Sequence, residues 1–268
     1  MSRERILVIG NPGSGKTTSW LSIAKHCPNA TFHVIDPDDG VDRLRESEFP
    51  GLKNINYYLT PFWYQKLVQV GPQSFVSGVI EALADIKTKL KPEDWIVVEH
   101  LGLIWDSVQI GYIDSVFSSG IDEYFLSHKK LIESKRGLGD SAKMENPLDG
   151  WKDWGIINKM HDAGFLIPIC YQLPVNVFMT STFSMQTPML ATKESSDLQN
   201  VYVGTKVRVD GNKKIPFKVQ TMLLLGGNPQ TGFTLDTFQK DRGRNWVKNV
   251  KLIDFYLQYM VAVAKWKI

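Results

Sequence analysis

Eight consecutive residues, Gly10, Asn11, Pro12, Gly13, Ser14, Gly15, Lys16 and Thr17, match G-x-x-x-x-G-K-[ST] in full. Glycines at these spacings let successive backbone N–H groups turn toward one anion. Lys16 brings a point charge to the β- and γ-phosphates, and the Thr17 hydroxyl offers a ligand to Mg²⁺. A helix opened by Lys16, Thr17 and Thr18 adds the positive end of its dipole. These types and spacings predict capture of ATP and Mg²⁺, with contacts running from Gly10 to Thr18. The apolar run at 5–9 reads as a buried strand before the loop. Trp20, Leu21, Ile23 and Ala24 continue the helix after it, which is the context the motif requires.

Ligands of open α/β sheets sit beyond the carboxyl ends of the strands. Polar residues that close apolar runs are therefore the next candidates. Glu99 closes the run at 95–98 and is placed to orient Mg²⁺ through water; His100 beside it reads as a structural polar residue. Asp36, Asp38 and Asp39 close the run at 31–35. Asp38 is positioned to polarise the water that attacks the γ-phosphate, or else the segment is a turn built from Asp, Pro and Gly. Gln172 follows the run at 165–170 and reads either as a contact to the γ-phosphate or as a surface cap. Lys16, Asp38, Glu99 and Gln172 are thus the expected catalytic set, with Thr17 and Glu99 serving the metal.

The elements that must carry these residues alternate. Strands are expected at 5–9, 31–35, 95–98 and 165–170, with helices at 74–90, 122–134 and 151–163 between and around them. Such alternation implies a largely parallel sheet with crossover helices, an α/β fold. Further strands at 201–209, 219–225 and 232–235 suggest an antiparallel extension, followed by a helix at about 249–265. The 268 residues fit one domain spanning 1–268, and 43% hydrophobic residues are enough for a sizeable core. A net charge of +3 does not argue for nucleic acid. Cys27 and Cys170 have no metal spacing and read as reduced core thiols. No secretory segment is recognised, and 255–264 is too short to span a bilayer. A cytoplasmic protein without a membrane partner is expected.

Taken together, the phosphate loop, Ile35-Asp36-Pro37-Asp38, Val97-Val98-Glu99 and Ile169-Cys170-Tyr171-Gln172 resemble the RecA-like P-loop ATPases. The resemblance implies a RecA-like core in which Asp38 takes the place of the catalytic glutamate, Glu99 the Walker-B aspartate and Gln172 the γ-phosphate sensor. Asp38 is shorter and Glu99 longer than the family's usual residues at these places. In the tail, Lys240-Asp241-Arg242 resembles the segment whose cations reach ATP on the neighbouring subunit, which implies a ring or filament with ATP between subunits. Size and tail look most like the small phage-encoded RecA-like ATPases of the single-strand-annealing type. The implied activity is ATP hydrolysis coupled to single-stranded DNA in recombination or annealing.

Two segments are candidates for the DNA itself. Lys129, Lys130, Lys135 and Arg136 flank the loop after the Glu99 strand, with Lys143 beyond them. Phe178, Phe183 and Lys193 fall in a stretch at 174–200 that reads as a loop. Cations neutralise phosphates and aromatic rings stack on bases. The same residues also fit a solvated helix face and an active-site flap. An ATP-switched assembly or DNA-packaging module, and a small-molecule or nucleoside kinase, stay open as alternatives.

Overall fold

The computed structural model describes residues 3–58, 73–118, 120–136, 152–185, 207–212 and 214–266. Its centre is β1 (Arg5–Gly10), whose side chains are buried from Ile6 onward. Parallel strands lie on both of its sides, β5 (Asn176–Ser181) on one and β8 (Thr221–Asn228) on the other. Beyond β5 come β4 (Trp95–Val98), β2 (Phe32–Ile35) and β3 (Ile55–Tyr58), all parallel. Beyond β8 the direction reverses at β9 (Gly232–Asp241), followed by β10 (Val250–Leu252). The eight-stranded order is β10-β9-β8-β1-β5-β4-β2-β3. This is the expected α/β architecture, a mostly parallel sheet with antiparallel strands added toward the C-terminus.

Alternation along the strands divides the core between two faces. Leu7, Ile9, Ile96, Val98, Val177 and Met179 point to one side. There they meet α3 (Gln73–Lys89) and α4 (Leu101–Phe117). The third neighbour on this side is α6, which begins as Lys152–His161 and continues in wider turns over Asp162–Leu166 and Pro168–Gln172. Ile6, Val8, Val34, Trp95, Val97 and Phe178 point to the other side. They pack on α1 (Lys16–His26) and the terminal helical turns of α8 (Tyr256–Val261). The remaining helices are α2 (Val41–Glu48), α5 (Ile121–Arg136) and the single turn α7 (Ile215–Lys218). A ribbon of β6 (Phe183–Met185) and β7 (Val207–Val209) stands apart from the large sheet.

The segment 165–170 is helical, which corrects the expected strand. Its buried members Phe165, Leu166, Ile169 and Cys170 recur at helical spacing, whereas Ile167 and Pro168 are only half-buried. A six-residue apolar run does not distinguish strand from helix by itself. The strand actually paired with β1 is Asn176–Ser181, whose Asn, Thr and Ser made the sequence read as a loop. Phe178 therefore lies within β5, fully buried between sheet and helix, and is not a DNA contact. At the C-terminus, 250–252 pairs as β10 and shortens the expected helix to its apolar end.

Removing the Phe178 ring should leave an unfilled space under α8. We expect Phe178→Ala to lower unfolding stability by about 3–5 kcal/mol in urea titrations. A loss below about 1 kcal/mol would place the ring outside the core.

Candidate nucleotide site

The register brings several strand ends to one edge: Ile9 lies opposite Ser181, Val98 opposite Met179, and Ile35 opposite Val98. The phosphate loop leaves this edge from Gly10. A side chain at Gly10 would have its Cβ 2.8 Å from the Leu225 carbonyl, so glycine is what allows β8 to lie alongside. Gly15 precedes α1 with φ of 89°, a left-handed turn that suits glycine. No side chain caps α1, which leaves its first N–H groups aimed out of the sheet edge. Ser14 is buried and its Oγ has no partner. Lys16 folds back, its Nζ donating to the Gly10 and Asn11 carbonyls at 2.9 Å each. Burial lowers its pKa, against the opposing fields of Glu99 and Asp38. Uncapped N–H groups, an orphaned hydroxyl and a lysine resting on loop carbonyls fit a polyphosphate.

Glu99 is the centre of the arrangement. It is only 6% exposed. The Trp20 indole N–H donates to Oε1 at 2.5 Å and the Thr180 hydroxyl to Oε2 at 2.6 Å. The Thr17 hydroxyl is near enough to favour the charged form of this carboxylate. Burial raises the Glu99 pKa, and Thr180, Trp20 and Thr17 counter that rise. A carboxylate near the Thr17 hydroxyl fits Mg²⁺, which keeps most of its waters and takes few protein ligands. Mg²⁺ bound here would neutralise charge on the phosphates.

Asp38 is exposed at the same edge and close enough to act on the charge of Lys16. Its Oδ1 accepts from the Gly40 N–H at 3.3 Å, as a turn residue does. Asp36 behind it is buried; Oδ2 accepts from Val41 N–H at 3.0 Å. Its Oδ1 meets no ordinary donor, and the neighbouring group is the Asp38 carboxylate. A proton on Asp36 turns that encounter into a hydrogen bond. Burial first, then this bond, pushes the Asp36 pKa up to about 8. His100 has φ of 65° and donates its backbone N–H to Thr180 Oγ1 at 3.1 Å. Burial and then the charge of Lys16 lower its pKa, so the ring is neutral at pH 7.

Gln172 is not part of this edge. It ends α6 and is exposed, four residues before β5 begins, so it lies at the opposite end of the sheet. The misplaced strand accounts for the error. Polar residues at the true end of β5 are Thr180 and Ser181, both buried, followed by Thr182. Lys240 and Arg242 also lie at the far end, since Lys240 pairs with Met222 near the start of β8. Lys129 and Lys130 are exposed on α5, Lys135 and Arg136 fall near its C-terminus, and Phe183 is half-buried in β6. Lys143 and Lys193 are outside the described residues. Sequence reading missed Trp20 and Thr180 as members of the site, and gave Asp36 no role beyond closing its strand. Only the polar close of an apolar run could have pointed to Thr180.

No protein-family model and no curated protein matches the chain. Among solved structures it is similar to the crystal structure of the RadB recombinase, with a TM-score of 0.44 and 10% sequence identity. That superposition covers 93% of this chain and 87% of the other.

Asp36 supplies a test of the paired carboxyls. The unfolded chain releases this proton near pH 4 while the folded chain keeps it to about pH 8. Folding stability thus falls as pH rises through that window. Asp36→Asn should lie closest to the wild type at pH 4 and exceed its melting temperature increasingly toward pH 8. A pH-independent difference would mean that Asp36 is ionised in the fold.

Proposed function

We propose that this chain, acting over 1–268 as one unit, is a RecA-like P-loop ATPase that works on single-stranded DNA in recombination or annealing. The observation that carries this reading is the buried Glu99 carboxylate, held by Trp20 and Thr180 at the same sheet edge as the uncapped N-terminus of α1. In that reading the N–H groups of 13–18 and the Lys16 ammonium hold the phosphates. Thr17 and Glu99 serve Mg²⁺, with Glu99 kept in place by Trp20 and Thr180. Asp38 orients the attacking water, and Asp36 steadies Asp38 from behind. Positioning and charge are what phosphoryl transfer asks of a protein.

Steady-state hydrolysis with and without single-stranded DNA tests the whole reading. We expect turnover that rises with DNA and is lost in Lys16→Ala. Turnover indifferent to DNA would favour an assembly or packaging switch. Absence of hydrolysis, with phosphate passed to an acceptor, would favour a kinase.

Self-association with ATP between subunits is supported by the far end of the sheet. Lys240 donates to the Pro216 carbonyl at 2.7 Å, and burial, then Arg242 and Arg5, lower its pKa to about 8. Among the described ion pairs none involves Arg5, Lys240 or Arg242. Such a like-charged group suits an anion brought by another subunit. Lys240→Ala and Arg242→Ala should keep nucleotide binding and lose turnover about 100-fold or more. Mixing Arg242→Ala with Lys16→Ala subunits should restore part of it. A mixture as inactive as its components would remove the trans contact.

A further inference from the structure

The strand ends at the nucleotide edge hold a side-chain pair that the ATPase reading has not used. His100 follows Glu99 directly and opens α4 with left-handed φ of 65°. For a residue with a bulky ring that backbone costs energy and marks a constrained position. Its ring lies over Gly102: a Cβ built there would be 3.0 Å from His100 Cε1 and 3.2 Å from Nδ1. The same Cβ would be 3.6 Å from Asp210 Oδ2, and Gly211 packs against the Gly102 Cα. Glycine at 102 thus leaves open a space that the His100 imidazole and the Asp210 carboxylate both border. His100 Nδ1 is buried and has no hydrogen-bond partner among the described residues.

Asp210 is fastened to the end of β5 three times over. Its N–H donates to the Thr182 carbonyl at 3.0 Å. Ser181 Oγ donates to its carbonyl at 2.8 Å, and Thr182 Oγ1 donates to its Oδ2 at 2.9 Å. Asp210 directly follows β7, and β6 begins one residue after Thr182. Asp210 therefore ties the end of β5 to the β6–β7 ribbon, with His100 across the space at Gly102. On the other side, the charges that act on the His100 ring are those of Lys16 and Asp38.

We propose that His100 reads the γ-phosphate of bound ATP and that Asp210 carries this to the β6–β7 ribbon, filling the role that Gln172 is too distant to perform. The proposal rests on the ATPase reading. An imidazole N–H directed at the terminal phosphate would be lost on going from ATP to ADP. The ring would then be left to its Asp210 neighbour, so the two nucleotides favour different placements of His100. Asp210 acts through His100 and is a positioning residue.

The experiment compares affinity for a fluorescent, non-hydrolysable ATP analogue with affinity for fluorescent ADP, alongside single-turnover hydrolysis. His100→Gly removes the ring while relaxing the left-handed backbone. His100→Asn also accepts that backbone but keeps a donor. The wild type should prefer the triphosphate, and His100→Gly should lose about tenfold of that preference with ADP affinity unchanged. His100→Asn should recover part of it, and Asp210→Asn should weaken the preference less. Unchanged ADP affinity also reports that the fold is intact. An unchanged preference in His100→Gly, with the wild type binding and hydrolysing ATP, overturns this inference alone. A wild type that binds neither nucleotide, or binds them equally with Lys16→Ala, overturns the ATPase reading and this inference with it.

Discussion

A carboxylate taken out of water costs several kcal/mol unless donors replace the lost hydration. Glu99 meets that constraint with an indole N–H from α1 and a hydroxyl from β5. The two donors come from different elements, α1 and β5, and must arrive together. The requirement fixes how far α1 sits from β4 and which residue of β5 lies beside Glu99. β5 must lie between β1 and β4 for Thr180 to reach. Sheet order and site chemistry are thus two statements of one demand.

The phosphate loop was legible because its chemistry is local: glycines, lysine and threonine act within eight residues. β1, β2 and β4 were legible for a related reason, being short, largely apolar runs closed by the phosphate loop, by Asp36 and by Glu99. β5 escaped because Asn176, Thr180 and Ser181 are polar for long-range reasons. Asn176 Oδ1 accepts from Glu4 N–H, Thr180 serves Glu99, and Ser181 serves Asp210. None of those partners is near in sequence. The apolar residues of 165–170 meanwhile spread along a helix packed under the sheet. Gln172 was lost with that strand, and Asp210, on a short turn without periodicity, offered nothing to read.

Trp20 shows the same limit from the other direction. By spacing it is an ordinary core residue of α1, and it does stack with Phe32, with ring centroids 6.2 Å apart. Its N–H, however, holds the buried acid, a use that aromatic residues with a polar atom readily take up. A single side chain here serves packing on one side and charge placement on the other. Asp36 likewise accepts the Val41 N–H at the start of α2 while its carboxyl lies beside that of Asp38.

The resting position of Lys16 has a consequence for how the protein waits. With its ammonium seated on two carbonyls of its own loop, Lys16 has partners within the cradle itself. An arriving phosphate exchanges one set of contacts for another within a preformed frame. The lysine behaves as a latch that is released by the guest it will hold, and departure of the guest leaves it somewhere to return.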